Sequence, residues 1–263
     1  MPDLMRAITA ESDRFRAAIG LAPPDARVPT CPDWSADDLL WHLTGVHGFW
    51  AGILRSGAVT DPEAEAVEAA RPQRPGDREA MLASFDRETE ALLSELRRLP
   101  DDRPAWFWLD TAKTVGSTRR MQAHEALMHR IDAELTAGSS SAPVDPELAA
   151  DGVAHALEVM WGWWGTVPGS VFLPVAGPVL LSDAGGGESW LVQPGHWVGV
   201  HASGNAFDVP GAVRAASGEP AASVHGSAEA LDRWLWSRGP EPESSGDPAS
   251  LAALRAAQAQ GMQ

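Results

Sequence analysis

The chain has 263 residues, 44% of them hydrophobic and 21% charged, which is typical of globular proteins and excludes a disordered chain. Lys and Arg total 20 against 36 Asp and Glu, so the formal net charge of -16 disfavours nucleic acid and anionic membranes as partners. A single cysteine excludes an internal disulfide framework and favours a reducing compartment. Because the sequence has neither a membrane-spanning apolar run nor a signal-peptide pattern, we expect a cytoplasmic protein.

The first half of the sequence has the apolar spacing of long helices. Helices are predicted over 3–19, 35–55, 77–99 and from Ser117 or Thr118 to about 137. Ser35 is the expected N-cap of the second helix, with Asp38 three residues later as an acidic variant of the capping box. The acidic, proline-containing stretch 58–76 is predicted to be a loop. This pattern favours a four-helix bundle over residues 1–142.

The second half of the sequence mixes helical and strand-like patterns. Asp145 and Pro146 form a helix start, and Ser227 caps a later helix. Strand-like segments are predicted at 178–182, 189–192, 196–201 and 223–226. Residues 143–240 are therefore expected to form a small α+β domain. Residues 241–263 are expected to be a mobile tail, with a short helix as the alternative for part of it. The bundle and the second domain together give the chain an α + (α+β) fold class.

The predicted fourth helix carries a carboxylate and a histidine that share one face. A helix advances about 100° per residue, so His124 and His129 point about 140° apart, whereas Glu125 and His129 lie on one face. The extra residue between the histidines excludes the zinc-protease arrangement that HExxH provides. Asp132 continues the face of Glu125 and His129, while Arg130 is assigned to the outer face by its helical phase.

A third metal ligand is available on the predicted helix 35–55. His42 and His47 flank its apolar stripe on opposite sides, each about 70° from the centre, so periodicity does not choose between them. Two imidazoles and one carboxylate form a known catalytic zinc set with open positions. The alternative interpretation is that these are half-buried histidines and a surface carboxylate that hold no metal.

Two segments carry a resemblance to a known family. VPTCPDWSADDLLWHLTGVHGFW (28–50) and STRRMQAHEALMHRIDAE (117–134) resemble the signature segments of the mycothiol-dependent maleylpyruvate isomerase family. That family belongs to the DinB-like group of metal-binding four-helix bundles. LDRWLWSRG is similar to the end of the family's C-terminal domain, so the resemblance extends to about residue 240 and is weaker in this last part. A DinB-like bundle followed by the α+β domain is the architecture that the resemblance implies.

The resemblance also implies a ligand set and roles for individual residues. The family binds a divalent metal, typically zinc, and its motif positions correspond here to His42, Glu125 and His129. The resemblance thus selects His42 over His47. We take Asp132 and Arg238 as candidate catalytic residues, the first to orient a ligand imidazole and the second to bind a carboxylate. The alternative role of Arg238 is to favour a helix C-terminus through the helix dipole.

The function implied by the resemblance is that of a metal-dependent enzyme whose partners are a small-molecule substrate and a low-molecular-weight thiol such as mycothiol. The activated thiolate would serve either cis–trans isomerisation of an unsaturated acid or S-transfer to an electrophile. One alternative is a non-catalytic binding or regulatory module with a structural or vestigial metal site. Another is a hydrolase that uses zinc-bound hydroxide and needs no thiol.

Overall fold

The computed structural model describes residues 2–185, 187–201 and 203–262. The chain divides into two compact units, Pro2–Ala142 and the segment from Pro143 onward. The first unit is mainly helical and the second combines helices with a sheet, so the protein is of mixed helical and sheet type. Within these described ranges, every helix is too short or too polar to cross a membrane.

The first unit contains the helices that the apolar spacing predicts, together with one that it does not. The helices are α1 Leu4–Leu21, α2 Ala36–Ser56, α3 Asp61–Ala69, α4 Arg78–Arg98 and α5 Val115–Thr136. A short antiparallel ribbon, β1 Arg27–Val28 and β2 Cys31–Ser35, connects α1 to α2. The cap of α5 is Thr114 rather than Ser117 or Thr118, since the Thr114 hydroxyl accepts a hydrogen bond from the Ser117 amide at 3.2 Å.

The capping box predicted at the start of α2 is present. The Ser35 hydroxyl accepts from the Asp38 amide at 3.2 Å, and the Asp38 carboxylate accepts from the Ser35 amide at 2.9 Å. Hydrogen bonds from Ser35 and from the Arg74 guanidinium lower the pKa of Asp38 to about 2. The carboxylate is therefore charged at neutral pH and stabilises the N-terminus of α2.

The loop predicted over 58–76 is wrong for Asp61–Ala69, which form α3. The Glu63 carboxylate accepts hydrogen bonds from the amides of Val59 at 2.9 Å and Thr60 at 3.0 Å. Thr60 and Glu63 thus form a capping box, and the proline that suggested a loop occupies the first turn, where proline is tolerated. The helix lies close against α2, because a Cβ atom at Gly52 would come within 2.6 Å of the Val67 side chain.

The long helices of the first unit pack around a shared hydrophobic core. Helix α1 contacts α5 and α4, and α2 contacts α4 and α5. Fully buried members of this core include Phe15, Ile19, Leu39 and Leu43. Burial of each such side chain contributes about 1.5–3 kcal/mol, so the relative positions of α2 and α5 are fixed by packing.

Arg130 is a further link between α1 and α5. The sequence phase assigned it to the outer face, but the structure places it at 0% exposure. Its guanidinium pairs with Glu11 of α1 at 2.6 Å and with Glu134 at 2.8 Å. The helical phase of α5 gave the wrong burial for Arg130, because α1 and the chain after α5 cover that face of the helix. The Ala142 carbonyl, in the chain after α5, also accepts a hydrogen bond from Arg130.

The second unit contains a β-sheet and several helices. Its elements are α6 Pro146–His155, β3 Val171–Pro174, β4 Val179–Asp183, β5 Ser189–Val200, β6 Ala206–Arg214, β7 Ala222–Gly226, α7 Ala228–Leu235, β8 Glu243–Gly246 and α8 Pro248–Gln258. Among the described residues the strand order is β3-β5-β4-β7-β8, with β6 paired to β5. Strands β4 and β7 are parallel and the other pairs are antiparallel. The two strands predicted at 189–192 and 196–201 form the single strand β5.

The mobile tail expected over 241–263 is wrong for the part that the structure describes, whereas the alternative of a short helix there is confirmed by α8. Strand β8 pairs with β7, and α8 buries Leu251, Leu254 and Ala257 on one face. Asp247 caps α8 by accepting from the Ser250 amide at 2.8 Å. The charged, proline-containing sequence that suggested a tail is in fact an aspartate N-cap followed by proline in the first helical turn.

Leu254→Ala tests whether this C-terminal segment contributes to stability. Leu254 is 1% exposed, so its truncation is expected to lower the free energy of unfolding by about 2–4 kcal/mol. Chemical denaturation measures this change. Ala252→Ser, at an exposed position of the same helix, is the control and is expected to stay within about 0.5 kcal/mol. Equal stability of the two variants would show that α8 does not pack on the unit.

Candidate metal centre

Side chains from α2 and α5 converge on one point. One ligand atom each from His42, Glu125 and His129 lies within 4.8 Å of the other two. Glu125 Oε2 is 3.3 Å from His129 Nε2, and the rings of His42 and His129 meet edge to face with centroids 4.8 Å apart. Neighbouring ligands of a tetrahedral zinc ion are separated by roughly 3.4 Å. Small side-chain movements would therefore bring the three atoms onto one ion.

The donor set and its surroundings fit a catalytic metal. Two imidazoles and one carboxylate leave coordination positions open. His129 is buried, whereas His42 and Glu125 are half-buried, so the site is partly open. In the part of the chain that the structure describes, no other group of three or more histidine, cysteine or acidic side chains comes together in this way.

Asp132 holds the His129 ring from the side opposite to Glu125. Its Oδ2 atom is 3.0 Å from His129 Nδ1, and its Oδ1 atom accepts a hydrogen bond from the Thr30 hydroxyl at 2.5 Å. Asp132 itself is fully buried. This arrangement leaves Nε2 of His129 as the atom directed at Glu125, and partners of this kind fix the orientation of a ligating imidazole.

The ribbon before α2 contributes two residues that the sequence did not single out. Thr30, in the turn between β1 and β2, holds Asp132, and Trp34 of β2 covers the imidazoles. The Trp34 ring lies 4.6 Å from the ring of His42 and 6.3 Å from that of His129. Both residues fall in the 28–50 segment, but a connector has no periodicity from which their contacts could be read.

The two histidines differ in their electrostatic surroundings. Burial and the neighbouring His129 lower the pKa of His42 to about 4, so its ring is neutral at neutral pH, as a metal ligand must be. Burial also disfavours the charged form of His129, but the carboxylates of Asp132 and Glu125 outweigh it and raise the pKa of this ring. The two carboxylates therefore favour the charged form of His129, whereas His42 stays neutral.

His47, the alternative ligand on α2, lies outside this group. It is fully buried, its Nδ1 atom is 2.9 Å from the Thr89 hydroxyl, and its ring packs against Phe85 with centroids 5.5 Å apart. Burial lowers the pKa of His47 to about 3. Of the two histidines that periodicity left open, the structure brings His42 to Glu125 and His129.

Arg238 lies in the second unit, shortly after α7. It is 5% exposed, and its Nη1 atom donates a hydrogen bond to the Trp236 carbonyl at 2.7 Å. A guanidinium in this position stabilises the carbonyl end of a helix. Its expected role in binding a carboxylate stays a prediction.

Single substitutions test the metal centre directly. After incubation with zinc and dialysis, the unmodified protein is expected to hold one equivalent of zinc. The variants His42→Ala, Glu125→Ala and His129→Ala are each expected to hold far less zinc, because each lacks one ligand. Elemental analysis measures the zinc content of each protein. His225→Ala, at an exposed histidine paired with Ser182, is the control. Full zinc content in the three ligand variants would exclude this centre.

Asp132→Asn tests the support of His129. The substitution replaces the charged acceptor that fixes the ring by a weaker neutral amide, and zinc affinity is expected to fall about 10- to 100-fold. Competition with a chelator measures the affinity. Thr30→Val, which removes the hydroxyl that holds Asp132, is expected to act in the same direction with a smaller effect. Unchanged affinity in Asp132→Asn would show that the aspartate only packs the helix.

Comparison with known proteins agrees with the family expected from the sequence. Residues 5–134 match the family described as mycothiol maleylpyruvate isomerase N-terminal domain. Two crystal structures titled mycothiol-dependent maleylpyruvate isomerase, one of a histidine-to-alanine mutant, share the fold. The mutant has a TM-score of 0.61 at 12% identity and the other a TM-score of 0.60 at 13%, and each comparison covers 95% of this chain and 96% of the other. No curated protein sequence matches the chain. The matched N-terminal region of this chain thus belongs to the mycothiol maleylpyruvate isomerase N-terminal domain family.

Proposed function

We propose that this protein is a metal-dependent enzyme that uses a mycothiol-like thiol to isomerise a small unsaturated acid from the cis to the trans form. The observation that carries the proposal is the convergence of His42, Glu125 and His129 at a half-open centre. The name of the matched family supports the reaction type. In this proposal the long helices form a DinB-like four-helix bundle, and the second unit is the family's C-terminal domain.

The residues of the centre would hold zinc. A divalent cation bound to His42, Glu125 and His129 would lower the pKa of a thiol at an open position, so that the nucleophilic thiolate prevails at neutral pH. Asp132 keeps Nε2 of His129 directed at the centre, and Thr30 keeps Asp132 in place. Trp34 covers the imidazoles and restricts water on that side.

Cis–trans isomerisation leaves the atomic composition of the substrate unchanged. Addition of a thiol to the conjugated cis double bond leaves a single bond that rotates, and loss of the same thiol returns the trans acid. If the sulfur stays on the product, the same centre performs S-transfer. A thiol cofactor has to be kept reduced, which supports the cytoplasm as the compartment.

Thiol-dependent turnover tests the proposal. The zinc-loaded protein is expected to convert maleylpyruvate to its trans isomer only when the thiol is present. His129→Ala is expected to lower the rate at least about 100-fold because a metal ligand is lost, and His225→Ala to leave it unchanged. Absorbance follows the double bond, and mass spectrometry identifies the product.

Three other outcomes of this experiment would each contradict isomerisation. A product that retains the sulfur would assign S-transfer, and a product cleaved by addition of water in the absence of thiol would assign a hydrolase. A stable protein that neither binds zinc nor turns over substrate would assign a non-catalytic binding module.

A further inference from the structure

A pocket of about 270 Å³ lies in the first unit beside α2. On the α2 side its wall includes Gly45, Gly48 and Phe49, and on the other side it includes Arg71 and Glu88. Arg71 follows α3 in the chain, within the region that the sequence predicted to be a loop. Pockets that bind small molecules have volumes of about 300–1,000 Å³, so this space suits an acid of a few carbon atoms.

The pocket wall and the metal ligand His42 occupy neighbouring strips of the same helix. The α2 residues that line the pocket are centred about 100° from His42 around the helix, and the edge nearest to His42 is formed by Gly45 and Phe49, which lie about 60° and about 20° from it. The pocket side of α2 therefore adjoins the strip from which His42 reaches Glu125 and His129.

Arg71 lies directly against the backbone of α2. A Cβ atom at position 45 would overlap the Arg71 guanidinium, so this position of the side chain requires glycine there. The guanidinium also pairs with Glu68 at 2.7 Å, but both partners are at least one-third exposed, and such a pair is weak and readily exchanged.

The pocket wall includes two further charged residues, Arg55 and Glu88, and each of them, like Arg71, has a partly exposed ion-pair partner. Arg55 is 60% exposed and lies 3.6 Å from Glu95, and Glu88 pairs with Arg87 at 3.1 Å. The chain carries a net charge of -16, so an anionic substrate needs a local positive group to counter repulsion. Of the two arginines in the pocket wall, Arg71 supplies that group nearer to His42, because it contacts α2 at Gly45, whereas Arg55 lies 13 residues beyond His42 on the same helix.

We propose that Arg71 is the carboxylate-binding residue of the active site, where it holds a small unsaturated acid in the pocket along α2 and positions its double bond toward His42, Glu125 and His129. The planar guanidinium binds a carboxylate through two parallel hydrogen bonds, which fixes orientation as well as position. This inference rests on the proposed function and specifies its substrate class.

Binding of maleate, a cis-unsaturated dicarboxylate, tests the assignment. Calorimetry on the metal-free and zinc-loaded protein is expected to show that Arg71→Gln weakens binding roughly 10- to 100-fold. Gly45→Ala, which displaces the guanidinium without removing its charge, is expected to weaken it in the same direction. Arg71→Lys is expected to be intermediate, because lysine keeps the charge and loses the paired hydrogen bonds. Arg97→Gln, at an exposed arginine of α4 paired with Glu90, is the matched control.

Kinetics separate this inference from the proposed function. In Arg71→Gln the KM for the acid is expected to rise at least about 10-fold, while the KM for the thiol and the zinc content stay unchanged. If Arg71→Gln and Arg97→Gln bind maleate equally in a protein that isomerises its substrate, the carboxylate assignment is overturned and the proposed function stands. If the protein shows no thiol-dependent turnover but Arg71→Gln abolishes maleate binding, the assignment stands and the proposed function fails. Absence of maleate binding to the unmodified protein would overturn the assignment.

Discussion

The packing of α2 against α5 is the constraint on which the candidate centre depends, because each helix supplies only part of the ligand set. Helix α2 is held by α4, and α5 is held by α1. The buried guanidinium of Arg130 strengthens the second contact through Glu11 and Glu134. A charge buried without partners would cost several kcal/mol, so this triad also selects one arrangement of α1 and α5. The ligand atoms can share an ion only if these helix separations are kept.

The short stretch from Thr30 to Asp38 couples the two halves of the centre. At one end Thr30 holds Asp132, and through it the imidazole of His129. In the middle Trp34 packs against His42. At the other end Ser35 and Asp38 begin the helix on which His42 lies. A change in the ribbon would therefore alter ligands on both helices, although the ribbon supplies no ligand itself.

The parts of the centre that follow from local geometry could be predicted from the sequence, and those that depend on packing could not. Four-residue spacing places Glu125 and His129 on one face of any α-helix. The choice between His42 and His47 requires knowing how α2 is rotated against two neighbours, since each histidine borders the same apolar stripe. The outer-face assignment of Arg130 failed for the same reason. Arg71 follows a short helix, where no periodicity applies.

Other errors came from reading single residues without their context. The prolines at the starts of α3 and α8 suggested a loop and a tail, yet each lies in the first turn of a helix that begins at an N-cap residue. Strands β3 and β8 have only four residues each, and β6, which pairs with the preceding strand β5, lacks a regular alternation of buried and exposed residues. The sequence thus predicts the long helices of the first unit better than the sheet of the second.

The glycines along α2 bear on the order in which the molecule assembles. Gly45, Gly48 and Gly52 lie inside a helix of 21 residues, and each lowers its intrinsic stability by about 1 kcal/mol relative to alanine. Such a segment does not remain helical alone, so His42 reaches its place only after the neighbouring helices have collapsed around it. In small zinc domains the ion drives folding. If the centre holds zinc as proposed, this argument gives the opposite order, in which the helices pack first and the metal binds to a site that is already formed.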